Sequence, residues 1–167
     1  MTEANKDAVD AIIDQWAVVR PDLETAPMAV FGRIYRVARA MGDAMEKAYA
    51  GHGISRGEFD VVGTLRRSGA PYTLSPRQLS ATLMLTTGGM TGRLDKLEKA
   101  GLLCRKPDPH DRRGLQVTIT DRGLALVDEA VAAGLEVQRA ALTGLGDEEV
   151  AVLTGLLRKL MSGVPAA

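Results

Sequence analysis

Residues 75–120 read SPRQLSATLMLTTGGMTGRLDKLEKAGLLCRKPDPHDRRGLQVTIT, and this stretch decides the fold. Ser75-Pro76-Arg77-Gln78 combines a helix N-cap, a proline at the first helical position and a capping-box glutamine, a set that satisfies backbone donors a helix start leaves orphaned. Leu79 and Leu83 fall on the inner side of the short helix that follows. At Leu85-Thr86-Thr87 the pattern restarts, with Thr86 or Thr87 as a new N-cap. Met90, Leu94 and Leu97 then form an apolar face, and Gly101 stands where a left-handed C-terminal cap belongs. Two helices joined by a tight turn make a helix-turn-helix. Leu102–Lys106 and Leu115–Thr120 read as strands, the second alternating Leu115, Val117 and Ile119 against polar residues. The proline-, aspartate- and glycine-rich residues between them make an exposed loop, so a β-hairpin is expected.

Outward from this centre the chain reads as helices. Val9, Ile12, Ile13 and Trp16 recur at helical spacing until Pro21, and Ile34, Ala38, Met41, Met45 and Ala48 extend a long helix from Pro27 to Gly51. Ser55 and Glu58 have capping-box spacing ahead of Phe59, Val62 and Leu65. Beyond the hairpin, Thr120 caps a helix expected to run to about Leu145, with Leu124, Val131, Leu135 and Leu142 at heptad-like intervals. Asp147-Glu148-Glu149 opens a last helix bearing Val150, Leu153, Leu156, Leu157 and Leu160. These apolar faces exceed what so small a domain covers by itself, which points to a homodimer. The expected organisation is N-terminal dimerisation helices over 1–50, a winged helix-turn-helix lobe over 51–120 and C-terminal dimerisation helices over 121–167. The fold class is mainly α with a small β-hairpin wing.

Composition sets the boundaries of that reading. Of 167 residues 46% are hydrophobic and 25% charged, which suits an ordinary globular protein and excludes wholesale disorder. Aromatics are only 4%, so the core is built from aliphatic residues that favour helices. No apolar run approaches the roughly 20 residues of a membrane span, and the N-terminus lacks a signal pattern, so a cytoplasmic protein is expected. Cys104 is the only cysteine, and His52 and His110 lack the company of a metal cluster; no metal or cofactor is expected. Cys104 reads as a packing residue, with oxidant sensing as the alternative, and His52 as a turn residue; His110 faces DNA or solvent.

The formal net charge is zero, but it is unevenly spread: −4 over residues 1–25, +1 over 26–65, +6 over 66–113 and −3 over 121–167. A basic block of this kind arises from solvated surface charge as well as from a nucleic-acid site, so motifs must decide. The run Thr86-Thr87-Gly88-Gly89-Met90-Thr91-Gly92-Arg93 is odd for a helix, since each glycine costs about 0.8–1 kcal/mol relative to alanine. A helix entering the major groove needs a slim surface and hydroxyls for bases or phosphates, which Thr and Gly provide. Tight packing on a neighbouring helix would also explain the glycines. A phosphate-cradling loop fits less well, because the lysine-Ser/Thr ending of a P-loop is missing and no strand precedes it. Arg112 and Arg113 at the hairpin tip suit a narrow minor groove, although a charged, soluble turn would look the same. No nucleophile–base pairing, cofactor motif or metal cluster suggests an enzyme. A winged-helix module that binds protein fits the same fold.

The run Asp111-Arg112-Arg113-Gly114-Leu115-Gln116-Val117-Thr118-Ile119-Thr120-Asp121-Arg122-Gly123 resembles the D-x-R-x-x-x-V-x-L-T-x-x-G signature of MarR-family transcription regulators, with Ile119 the one conservative departure. Residues 92–102 resemble that family's recognition helix and its exit into the wing. The resemblance implies a homodimer that binds double-stranded DNA at a pseudo-palindromic operator, usually as a repressor released by a small ligand. It places Arg77, Gln78, Thr86, Thr87, Gly88, Gly89, Thr91, Arg93, Lys96, Asp111, Arg112 and Arg113 at the DNA. Trp16, Asp60, Arg93 and Arg105 resemble the ligand constellation of the family's urate-responsive branch, which carries an extra N-terminal helix. A flat anionic heterocycle, whether urate, a related purine or a phenolic compound, stacks on an indole and pairs with guanidinium groups. Each of these residues also has a plainer role: Trp16 in a dimer core, Asp60 and Arg93 as a helix-tethering ion pair, Arg105 as a phosphate contact. A regulator of this family without a small-molecule ligand is the matching alternative.

Overall fold

The structure is a computed structural model that describes residues 6–83, 87–109, 111 and 114–164; the side chain of Thr87 is not described. The chain divides into two compact units, Met1–Ala44 and Met45–Ala167.

The first unit holds helix α1 (Ala8–Val19) and most of α2 (Ala26–Ala50). Asp7 caps α1, its carboxylate accepting from the amides of Val9 and Asp10 at 2.7 and 3.1 Å, while Asp10 accepts from the Asp7 amide at 2.9 Å. Arg33 of α2 donates to both carboxylates at 2.8 Å, and its hydrogen bond holds the Asp10 carboxyl below the usual carboxylate range. Val9 is buried, and Gly32 makes room for it: a Cβ there would meet Val9 Cγ1 at 2.9 Å. The N-terminal half of α1 is thus fastened to α2, whereas Trp16, Val18 and Val19 are exposed.

In the second unit, the last turn of α2 is followed by α3 (Arg56–Arg67), β1 (Thr73–Leu74), α4 (Pro76–Leu83), α5 (Thr87–Lys99), β2 (Leu103–Pro107), β3 (Leu115–Ile119), α6 (Asp121–Ala141) and α7 (Asp147–Gly163). Both expected capping boxes form. Ser55 and Glu58 exchange bonds at 3.2 and 2.8 Å, and Ser75 and Gln78 do the same at the same distances. The core joins Phe59, Val62 and Leu65 of α3 to Leu79 of α4, Met90, Leu94 and Leu97 of α5, Val117 and Ile119 of β3 and Val127 of α6. Tyr49, at the end of α2, stacks on Phe59 with ring centroids 4.0 Å apart. Gly134 lets α6 pass over that pair, since a Cβ there would meet Tyr49 Oη at 2.7 Å.

Three details differ from the sequence reading. The hairpin is part of a three-stranded antiparallel sheet ordered β1-β3-β2, in which Thr73 pairs with Thr118 and their hydroxyls lie 2.8 Å apart. Helix α6 ends at Ala141 rather than near Leu145, because the amides of Leu142 and Thr143 turn to carbonyls three residues back and Gly144 and Gly146 follow. Leu115 is exposed, because it stands at the outer end of β3, paired with Pro107 and past the core that covers Val117 and Ile119.

The join between α5, β2 and α6 is unusually close. Gly101 ends α5 with φ +70°, the left-handed cap expected there. Thr120 donates its hydroxyl to the Gly101 carbonyl at 2.8 Å and its amide to the Leu102 carbonyl at 3.0 Å, while its Oγ1 accepts from the Gly123 amide at 3.1 Å. A Cβ at Gly123 would lie 2.1 Å from the Leu102 carbonyl oxygen. The T-x-x-G spacing therefore docks the start of α6 onto the end of α5.

Candidate nucleic-acid interface

Helix α5 buries Met90, Leu94 and Leu97 against the core. At 100° per residue the opposite side carries Gly88, Gly92, Asp95, Lys96 and Lys99, all exposed. A Cβ on Gly88 or Gly92 meets no atom of the described residues within 4 Å. Packing among the described residues therefore does not account for these two glycines, and a slim, exposed helix face is left. Gly89 and Thr91 are exposed beside them, and Lys96 is 78% exposed with its Nζ 4.0 Å from Glu58.

The other expected DNA residues fall into three groups. Arg77 is exposed on the first turn of α4, with no ion-pair partner among the described residues. Gln78 beside it uses its side-chain oxygen on the helix cap, accepting from both the amide and the hydroxyl of Ser75 at 2.8 Å. Asp111 is exposed in the hairpin loop, where its carbonyl accepts from the Gly114 amide at 2.9 Å. Thr86, Arg112 and Arg113 lie outside the described residues, as does His110.

The expected ligand residues are held as follows. Arg93 leaves α5 sideways and lies over the first turn of α3, its Nη1 donating to the Gly57 carbonyl at 3.2 Å. Gly57 creates that seat, because a Cβ there would meet Arg93 Cζ at 2.7 Å. Asp60 is half-buried one turn further along α3, and among the described residues no ion pair joins it to Arg93. Arg105 of β2 is held by α5 instead: its Nη2 is 2.7 Å from Asp95 Oδ1, its Nε donates to Glu98 Oε2 at 2.9 Å, and its amide donates to Glu98 Oε1 at 2.8 Å. Trp16 belongs to the first unit, on α1, and is 39% exposed. The grouping of Arg105 with Asp95 and Glu98 escaped the sequence reading. Its signal was two acidic residues in the last turns of a helix, where they oppose the macrodipole and call for a cation nearby.

Cys104 is partly exposed in β2, opposite Thr118. Among the described residues no cluster of His, Cys, Asp and Glu offers a metal site, and no helix is long and apolar enough to cross a membrane.

A sequence model of the MarR family matches residues 52–114. The HTH-type transcriptional regulator PecS of Dickeya dadantii is 40% identical over 152 residues, covering 91% of this chain and 92% of PecS. Among solved structures, a cysteine-to-serine mutant of E. coli MarR complexed with operator DNA superposes with a TM-score of 0.71 at 26% identity, covering 83% of this chain and 98% of that one. A structure of Bordetella bronchiseptica BpsR, whose DNA binding is regulated by 6-hydroxynicotinic acid, gives a TM-score of 0.69 at 26% identity over 81% of this chain and 94% of that one.

Proposed function

The chain belongs to the MarR family, and from that premise we propose that it binds a pseudo-palindromic operator as a homodimer and represses transcription until a small anionic aromatic ligand releases it. The outward face of α5 carries the reading: Gly88 and Gly92 leave that helix slim where nothing among the described residues requires it. Backbone that approaches a groove this closely exposes Thr91 and Lys96 to bases and phosphates. Arg77 on α4 and the arginines of the hairpin loop add sequence-independent attraction to the duplex. That a protein of similar structure, the E. coli MarR mutant, was solved in complex with operator DNA supports DNA binding. The dimer is assigned to residues 1–50 and 121–167, where Phe31, Val37, Leu135, Leu142, Leu153 and Leu157 are exposed apolar side chains that a second copy would cover.

Fluorescence anisotropy with duplexes from the gene's own upstream region tests this. One duplex is expected to bind a dimer about 10³-fold more tightly than random DNA at the same salt, with log affinity falling linearly against log salt. Equal affinity for every duplex, or binding insensitive to salt, would refute sequence-specific recognition.

The ligand site is proposed at Trp16, Asp60, Arg93 and Arg105. In its support, Arg93 belongs to α5 itself, so an anion competing for its guanidinium acts directly on the helix assigned to DNA. The regulation of BpsR by an aromatic heterocyclic acid is a precedent among proteins of similar structure. Release requires that the ligand bind the DNA-incompetent arrangement more tightly, typically a coupling of about 5- to 150-fold. Trp16 is the only tryptophan, so urate, xanthine and salicylate can be titrated against its fluorescence and against bound operator. At least one is expected to quench Trp16 and displace DNA, and Trp16→Ala to keep operator binding but lose the response. Failure of all three compounds at millimolar concentration would remove the ligand reading and leave DNA binding intact.

A further inference from the structure

We propose that Arg105 promotes DNA binding without touching DNA, by cancelling the charge of Asp95 and Glu98 on α5. The inference rests on the assignment of that helix to DNA. Asp95 is on the outward face with Gly92 and Lys96, its side chain 57% exposed, and Glu98 follows three residues later. Two carboxylates in the last turns of a helix are unfavourable for the helix, whose carbonyl end is already partly negative. They are worse beside a duplex that carries a negative charge about every 1.7 Å along its axis. Neither acid helps α5 form or approach DNA unless its charge is met.

Arg105 meets both. Its Nη2 is 2.7 Å from Asp95 and 2.5 Å from Glu98, its Nε donates to Glu98 at 2.9 Å, and its side chain is only 25% exposed. A guanidinium turned inward in this way has given its nearest donors to carboxylates and presents little of itself to a phosphate. The same bonds hold the Glu98 carboxyl below the usual carboxylate range. On this reading a ligand anion that draws Arg105 away uncovers two negative charges on the helix at once, which turns capture of one arginine into repulsion from DNA.

Three variants measured on the duplex that wild type selects decide the matter. Arg105→Gln is expected to bind about tenfold more weakly at 0.1 M salt, the size expected of two screened charges near phosphates. The neutral triple variant Asp95→Asn/Glu98→Gln/Arg105→Gln is expected to return to within about twofold of wild type, although it lacks every ion pair of the cluster. A triple variant as weak as Arg105→Gln would overturn the proposal, since it would make Arg105 a phosphate contact or a structural tie. If Arg105→Gln lowers the melting temperature, Asp95→Asn/Glu98→Gln still decides. It removes both negative charges, leaves the positive charge of Arg105, and is expected to bind at least as tightly as wild type; weaker binding overturns the proposal. Wild type that selects no duplex refutes the DNA reading, whereas a selective wild type without neutral rescue refutes the role of Arg105 alone.

Discussion

Gly92→Gln is expected to make the protein more stable and to cut its operator affinity about a hundredfold, roughly 2.7 kcal/mol. The gain follows from the helix. Gly92 lies well inside α5, no atom of the described residues stands within 4 Å of its missing Cβ, and replacing an interior glycine by a good helix former contributes up to about 1 kcal/mol. The loss follows from the assigned partner, because a glutamine side chain would stand where the helix backbone is expected to meet the floor of the major groove. The two effects have opposite signs and separate experiments, thermal denaturation and anisotropy in the same buffer. A variant that is stabilised and still binds at wild-type affinity would move the DNA to another face of the lobe. Loss of both stability and binding would mean that Gly92 is held by contacts the fold does not show.

Local chemistry was legible in the sequence, and contacts across the chain were not. The capping boxes at Ser55 and Ser75 and the left-handed glycine at 101 depend on residues within four positions of each other, so their patterns survive without tertiary context. The buried faces of α3 and α5 follow from the same short-range periodicity. Strand β1 was missed because two residues show no alternation; only the pairing of Thr73 with Thr118, 45 positions away, defines it. The seat of Arg93 depends on a glycine 36 positions earlier, which a scan for charged partners passes over in favour of Asp60. Gly88 and Gly92 read in sequence as odd for a helix, with DNA approach preferred to tight packing; only the fold gives the space around each, and among the described residues no atom fills it. Arg105 reads in sequence as a ligand residue or a phosphate contact; in the fold its guanidinium is paired with Asp95 and Glu98.

Gly123→Ala is expected to have the opposite sign from substitutions at Gly92, although it adds the same methyl group to a helical glycine. Its Cβ would sit 2.1 Å from the Leu102 carbonyl oxygen and 2.7 Å from Ile119 Cγ1, far inside contact distance, and the nearest atom belongs to backbone. The first turn of α6 would have to lift, and that strains the bonds from Thr120 to the carbonyls of Gly101 and Leu102. Those two carbonyls end α5 and lead into β2, so the displacement passes to the helix and the wing together. The expected cost is about 3 kcal/mol, the upper range for overpacking, which corresponds to a fall of roughly 6–12 °C in melting temperature for a chain of this length. Gly92→Ala in the same assay controls for helix propensity and is expected to raise the melting temperature. A Gly123→Ala variant as stable as wild type would show that α6 tolerates a different seat on the end of α5, and the T-x-x-G spacing would then need a reason other than this contact.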